Sequence, residues 1–283
     1  MKVRYSFSSR RTGHTENIKK QRPKYPTLAD KIIQMSDIIL EVMDARFIEQ
    51  TRNKELEEKI RQAKKRIIYV FNKSDLVNLR KVNKEDEEIA SLNPKVFVSC
   101  AKRKGIKELR NKIKITSYRI EKRVDKALNK ITVGVIGYPN TGKSSVINLL
   151  IGKKSSGTGA DAGFTKSIQK LKLTSEINLL DSPGVIPNKE YSNSDSILMS
   201  RHTKLGARSY SQAKNPELAV ANLMKEFPDL LDNFYKINSK GDSEILMEKL
   251  GRQKGFLKKG DEVNEDKTAR FILKDWQEGK IKK

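Results

Sequence analysis

The sequence predicts an α/β chain in which a parallel or mostly parallel sheet, covered by helices on both faces, gives way to an all-helical segment. Two observations carry this. Up to about Pro187, short runs rich in Ile, Val and Leu alternate with stretches of helical period. From about Asp195 onward only helical periods recur, punctuated by Pro228, Gly241, Gly251, Gly255 and Gly260. The expected division is a basic arm over 1–25, an α/β domain over 26–188 and a helical domain over 195–283. A length of 283 residues suits one large or two modest domains.

The elements follow in order. Helical character begins near Thr27, with Leu28, Ile32, Ile33 and Met35 on one face. Ile38–Met43 reads as a buried strand ending in Asp44. Asn53–Lys65 reads as a charged helix and Arg66–Phe71 as a second strand. A helix around Lys84–Ser91 leads to a third strand, Val96–Val98. A helix then runs from Ile106 toward Arg123. Ile131–Ile136 is a fourth strand and Lys143–Leu150 the helix after it. Ser167–Leu173 and Ile177–Leu180 complete the strands. Beyond them, the periods Leu218–Met224, Leu246–Leu250 and Phe271–Trp276 are helical.

Composition narrows the partners. Hydrophobic residues make up 36% and charged residues 33%, and 59 Lys plus Arg against 35 Asp plus Glu give a net charge of +24. Such an excess attracts polyanions. No apolar run reaches the roughly 18–20 residues of a membrane span, and MKVRYSFSSRRTGH lacks the apolar core of a secretory signal. Nucleic acid is therefore the expected polyanion, with no membrane partner. The single cysteine, Cys100, precludes an intrachain disulfide and fits a cytoplasmic protein. His14 and His202 are far apart and have no Cys or carboxylate cluster beside them, so no zinc site is expected.

The sharpest motif is Gly137-Tyr138-Pro139-Asn140-Thr141-Gly142-Lys143-Ser144. It fits G-x-x-x-x-G-K-[ST], follows a β-branched strand and opens a helix. Backbone N–H groups from Asn140 to Ser145 and the helix N-terminus would cradle phosphate. Lys143 would bridge the β- and γ-phosphates, and the Ser144 hydroxyl would ligate Mg²⁺. Asp181-Ser182-Pro183-Gly184 follows another buried strand. Asp181 would hold the Mg²⁺ through water, and the Gly184 N–H would sense the γ-phosphate. Between these motifs, the Gly- and Ser-rich stretch Lys153–Phe164 ends in Thr165. Its hydroxyl would close on Mg²⁺ only with the γ-phosphate present. Lys143, Thr165 and Gly184 are thus candidate catalytic positions.

The base is read upstream, by Asn72-Lys73-Ser74-Asp75 after the second strand. Guanine offers a ring N–H and an exocyclic amine, and Asp75 can accept from both. Adenine lacks that pair of donors and would leave the carboxylate unsatisfied. Asn72 would orient the loop, and the Lys73 stem would cover the ring face. Ser99-Cys100-Ala101 is the companion loop, with a backbone N–H for the guanine oxygen. In ordinary GTPases the phosphate loop comes first; here it follows both base-reading loops, as a circular permutation would place it.

This arrangement resembles the YlqF/YawG family of circularly permuted GTPases, which act in assembly of the large ribosomal subunit. Asp44-Ala45-Arg46, Thr51-Arg52-Asn53 and Gly163-Phe164-Thr165-Lys166 look like the family's opening strand, Arg-Asn turn and switch. Gly251–Leu257, Thr268–Asp275 and Gly279-Lys280-Ile281 look like its helical RNA-binding domain. The resemblance implies a P-loop GTPase sheet with a C-terminal helical domain, GTP and GDP as ligands, and ribosomal RNA and the large-subunit particle as partners. It also implies a role in hydrolysis for His14, through a Gly-His that matches Gly13-His14, although Gln21–Thr27 lengthens the spacing that follows. Asn140 resembles the Asn of potassium-stimulated GTPases, which implies a K⁺ site. Val185 stands after DxxG, where signalling GTPases place a water-orienting Gln, so slow intrinsic turnover is expected. Arg252, Lys254, Lys258 and Lys259 cluster around a Gly-punctuated turn and are the expected RNA contacts. A monomer is expected. A signalling switch with a protein effector, and an RNA-binding protein that holds GTP without useful turnover, remain open as rival readings.

Overall fold

The structure, a computed structural model, describes residues 24–79, 87–120, 130–152, 168–182, 196–206 and 208–282. Its first part runs α1 (Lys24–Met35), β1 (Ile38–Asp44), α2 (Ile48–Thr51), α3 (Lys54–Gln62), β2 (Arg66–Asn72), α4 (Glu87–Ser91), β3 (Lys95–Phe97), α5 (Ile106–Tyr118), β4 (Ile131–Ile136), α6 (Lys143–Ile151), β5 (Gln169–Lys172) and β6 (Ile177–Asp181). The strands form one six-stranded sheet of order β3-β2-β1-β4-β6-β5. All neighbours are parallel except β5 and β6, which are antiparallel.

Both faces are covered, as an Ile/Val/Leu-rich parallel sheet requires. On one face α1 and α3 set Ala29, Ile32, Leu56 and Ile60 against Ile39 and Ile136. On the other, α5 and α6 set Leu109, Ile113, Val146 and Ile147 against Leu40, Val42, Val70 and Val135. Successive residues of β1 thus serve opposite faces. One expectation needs correcting. Met35 is 56% exposed, because the buried stripe of the first helix and its exit is Ala29, Ile32, Ile33 and Ser36, spaced i, i+3, i+4, i+7. Met35 lies off that stripe.

Asn53 caps α3 by accepting the Leu56 N–H at 3.0 Å. Its own N–H donates to Glu41 Oε1 at 2.9 Å. Glu41 lies fully inside the sheet layer beside Glu57, and burial first, then the Glu57 charge, push its carboxyl up to about 8. Glu57 in turn holds Arg52, which also reaches Glu88 at 2.6 Å. Between about pH 4.5, the ordinary value, and about 8, the folded chain keeps a proton the unfolded chain has released. Stability must therefore fall as pH rises through that window. Glu41→Gln, which keeps the oxygen that accepts from Asn53, is expected to gain on the parent progressively from pH 5 to pH 8 in urea midpoints. A difference that does not change with pH would show that Glu41 is not the titrating group.

The second part is helical: α7 (Ser196–Lys204), α8 (Pro216–Glu226), α9 (Leu230–Tyr235), α10 (Ser243–Lys254) and α11 (Glu265–Gln277). Among the described residues its only strand-like pairing is the bridge between Leu257 and Val263. Val220, Leu223, Leu246, Leu250, Ile272 and Trp276 form its core. That core also takes in Phe47 and Tyr138, from the loops after β1 and β4. The helices are therefore seated at the carboxyl edge of the sheet, where the motif loops emerge.

Candidate nucleotide-binding site

A doubly wound sheet binds ligands where its strand order reverses, at the carboxyl ends of the strands. Here that place lies between β1 and β4. From β1 the chain steps outward to β2 and β3, then returns to β4 on the other side. Across this edge the loops stand in the order Ser99-Cys100-Ala101, Asn72–Asp75, Asp44, the phosphate loop and Asp181. Register keeps them level: Asp44 pairs with Asn72, Glu41 with Ile136, and Val135 with Asp181. The groups expected to read the base and hold phosphate are adjacent in space although reversed along the chain.

Asn72 joins three motifs. Its Nδ2 donates to the Thr141 carbonyl at 2.8 Å, and its Oδ1 accepts the Cys100 N–H at 3.3 Å. Both ends of the amide are thus engaged, tying the three loops together. Gly142, at φ +93°, leaves room for this: a Cβ there would lie 2.2 Å from Asn72 Nδ2. Because Cys100 gives its N–H to Asn72, the Ala101 N–H is the one that can meet a guanine oxygen. The Cys100 thiol is pushed up to about 12 by burial, so it stays protonated and inert. Ser99 Oγ donates to Asp75 Oδ1 at 2.5 Å and accepts the Lys102 N–H at 3.0 Å. One hydroxyl thereby fixes the orientation of the Asp75 carboxylate.

Lys73, in the left-handed region at φ 61°, turns its ammonium onto Asp44, with Nζ 2.8 Å from Oδ2. Sequence reading gave it only a covering stem. Burial lowers the Lys73 ammonium and Asp44 opposes that shift. Burial alone would raise the Asp44 carboxyl, but Lys73 and Arg46 overcome it and hold it well below the usual carboxylate range. Arg46 grips Asp44 with a fork, Nε to Oδ1 at 3.1 Å and Nη2 to Oδ2 at 2.8 Å. Its Nη1 donates to the Trp276 carbonyl at 2.9 Å, and the guanidinium lies 4.7 Å from the Trp276 ring centre. The Asn72–Asp75 loop is therefore tied to α11 through two buried side chains, Asp44 and Arg46.

On the phosphate side, α6 starts just after Gly142, with no described side chain capping it. Its first N–H groups are a ready anion site. Gly137 brings the loop so close to β1 that a Cβ would lie 2.2 Å from the Val42 carbonyl oxygen. Lys143 is buried and folds back, donating to the carbonyls of Gly137 at 3.1 Å and Tyr138 at 2.9 Å. Burial lowers its ammonium to about 8, opposed only by Asp181. Phosphate would restore the charge. Binding should then take up a proton above pH 8, and affinity should weaken with rising pH by about tenfold per unit at most. Calorimetry of GDP binding at about pH 8.5, in two buffers of different ionisation enthalpy, should show the uptake in the parent and not in Lys143→Ala at equal saturation. No uptake in the parent would show that Lys143 keeps its proton unaided.

Ser144 Oγ donates to Asp181 Oδ2 at 3.0 Å. A hydroxyl and a carboxylate at this separation are hard oxygen donors that fit Mg²⁺. Among the described residues there is no cluster of three or more His, Cys, Asp or Glu. Asn140, at φ 58°, donates Nδ2 to the Gly206 carbonyl at 2.6 Å. Any cation it held would have to use Oδ1. Sequence reading missed this tie and the buried His202, whose ring stands edge-on to Tyr138 at 6.0 Å. Both join residues more than 60 positions apart, and no local pattern signals them.

Three expected positions, His14, Thr165 and Gly184, lie outside the described residues, as do Val185 and most of the basic arm. In the helical part Lys254, Lys258 and Lys259 are exposed, and the Lys254 Nζ lies 5.7 Å from the Phe271 ring centre. Arg252 is also exposed, but it pairs with Glu248 at 2.7 Å and Asp261 at 3.3 Å. RNA would have to displace those partners.

Residues 132–232 match the family described as 50S ribosome-binding GTPase. The structure of GNP-bound YlqF from T. maritima superposes with a TM-score of 0.60, at 20% identity, over 95% of each chain. Its GDP-bound form gives 0.61 over 89% of this chain and 95% of that one. The chain has the fold of a circularly permuted GTPase. It is the fold expected from the motif order. Curated relatives are similar in sequence. One, from Methanocaldococcus jannaschii, is named Uncharacterized GTP-binding protein MJ1464; it is 38% identical over 90% of this chain and 65% of its own length. GTPase grn1 of Schizosaccharomyces pombe is 31% identical over 92% of this chain and 61% of its own. Nucleolar GTP-binding protein 2 of Saccharomyces cerevisiae is 33% identical over 89% and 51%. The chain thus spans between 51% and 65% of those relatives' lengths. Among the described residues no helix is long and apolar enough to cross a membrane.

Proposed function

We propose that the protein binds GTP, hydrolyses it slowly to GDP and phosphate, and acts as a nucleotide-gated assembly factor on the large ribosomal subunit. The observation that supports this best is the Asn72 clamp, which sets a guanine-reading carboxylate and a phosphate-binding helix start side by side. Relatives named for nucleolar GTP binding, and a family named for binding the 50S ribosome, support the particle as partner.

In this reading Asp75 accepts from guanine, Ala101 donates to its oxygen, and Lys143 exchanges loop carbonyls for phosphate oxygens. Ser144 and Asp181 would hold Mg²⁺, which when bound neutralises charge on the β- and γ-oxygens. Thr165 and Gly184 would register the γ-phosphate. The 26–188 segment would gate a helical RNA-binding domain over 195–283, with Lys254, Lys258 and Lys259 on phosphate. His14 is proposed to act in hydrolysis. An apolar Val185 cannot orient water, so the particle would have to complete the site. K⁺ is expected to outperform Na⁺ in turnover, acting at Asn140; equal rates in the two salts would remove that part.

The test is binding of purified large-subunit particles across a salt series. Tight, salt-sensitive binding with a non-hydrolysable GTP analogue and weak binding with GDP are expected. Equal binding in both nucleotide states would overturn the gating.

A further inference from the structure

We propose that the outward face of α5, with the hairpin that leads into it, is a second RNA-binding surface, holding phosphate with fixed cations and stacking a base on Tyr118. The inference rests on the reading that the protein docks on ribosomal RNA.

Between Lys102 and Arg119 stand eight Lys and Arg against one acid, Glu108, whereas the whole chain has 59 against 35. Seven of the eight are exposed. Among the described residues none of the eight is paired with a carboxylate, in contrast to Arg252 and Arg270, whose charges are met by Glu248, Asp261 and Asp266. Cations that the fold leaves unneutralised hold only counterions, and phosphate releases those counterions. A solvated face would account for charge alone. It does not account for Tyr118, 80% exposed, and Ile115, 47% exposed, standing among those charges. Lys107, Asn111, Lys114 and Tyr118 follow one another at helical spacing, so the ring continues a single stripe. Phosphate contacts followed by an open aromatic ring are the pattern of single-strand recognition. An acidic protein segment would use the cations but not the ring.

The display is rigid. Arg110 anchors α5 by donating to the Leu149 and Leu150 carbonyls at the end of α6. The inner face of α5 is locked by Leu109 and Ile113. The hairpin carrying Lys102–Lys104 is closed by two backbone bonds between Ser99 and Lys104, 3.0 and 3.1 Å. Ser99 is the residue whose hydroxyl holds Asp75. RNA on the hairpin would therefore bear on the loop that reads guanine.

The test uses the full chain, with purified large-subunit ribosomal RNA and a single-stranded oligouridylate as probes, in anisotropy titrations across salt. Lys107→Glu with Lys114→Glu is expected to weaken binding about tenfold or more and to reduce the salt slope by about two phosphates' worth. Tyr118→Ala is expected to cost roughly tenfold with the slope unchanged, because stacking releases no counterions. Both variants should keep parental circular dichroism and GDP affinity. If the parent itself binds neither RNA, the broader docking reading fails. If the parent binds and both variants bind equally well, this surface is not an RNA site, and an acidic protein partner becomes the occupant to test.

Discussion

Asp75→Asn is expected to turn the base preference from guanine to xanthine nucleotides. In the proposed reading the carboxylate accepts from two guanine donors; the amide would put a donor where one acceptor stood. Two charge-assisted hydrogen bonds at about 1.5–3 kcal/mol each amount to roughly 10²- to 10⁴-fold in affinity. Xanthine carries an oxygen in place of the exocyclic amine, so it regains a partner from the Asn amide. The Ser99 hydroxyl, which donates to Asp75 Oδ1, can still donate to the Asn oxygen. The loop should hold its shape, and thermal stability should stay close to that of the parent. Competition of GTP, XTP and ATP against a fluorescent guanine nucleotide reads the outcome. A parent that binds ATP as tightly as GTP would end the base-reading assignment. A variant that still prefers GTP would move the specificity elsewhere in the loop.

What was legible in the sequence was local. Each motif loop follows a strand whose apolar run is plain, and the strand ends at Asn72, Ile136 and Asp181 fall where those runs stop. The Asn72–Asp75 and 137–144 motifs announce their chemistry because few residue types can read guanine or wrap phosphate. Their reversed order announced the permutation. Met35 was misplaced because three apolar residues shared two possible stripes, and only packing against β4 selects the one ending at Ser36. The ties between the sheet edge and the helices were invisible. Asn140 to Gly206, His202 to Tyr138 and Arg46 to Trp276 each link distant positions. None carries a spacing that a sequence alone displays. Lys73 was read by its stem because its counter-ion, Asp44, stands 29 positions away on the neighbouring strand, where only the register Asp44 to Asn72 brings it close.

Arg46→Ala is expected to be the most damaging single change away from the phosphate loop. The guanidinium and Asp44 are both fully enclosed, with side-chain exposures of 1% each. Taking away the Arg leaves Asp44 buried with Lys73 as its only counter-ion among the described residues, and breaking such a pair from one side costs about 3–5 kcal/mol. It also strips the Trp276 carbonyl of its donor and the Trp276 ring of its cation. Two effects should then appear together. The unfolding free energy from urea titration should fall by the stated amount, and guanine-nucleotide affinity should fall, because Lys73 is drawn further onto Asp44 and away from the expected base position. Arg46→Lys should rescue little: one ammonium cannot fork onto Asp44, reach the Trp276 carbonyl and lie flat on the indole at once. Arg46→Met with Asp44→Leu separates the two roles. Removing both charges and filling the space should recover much of the stability, while Lys73, now without its anchor, leaves nucleotide affinity low. If the double variant recovers stability and affinity alike, Arg46 serves only to satisfy Asp44. If Arg46→Ala loses less than about 1 kcal/mol, the ion pair is not what joins the guanine-reading loop to α11.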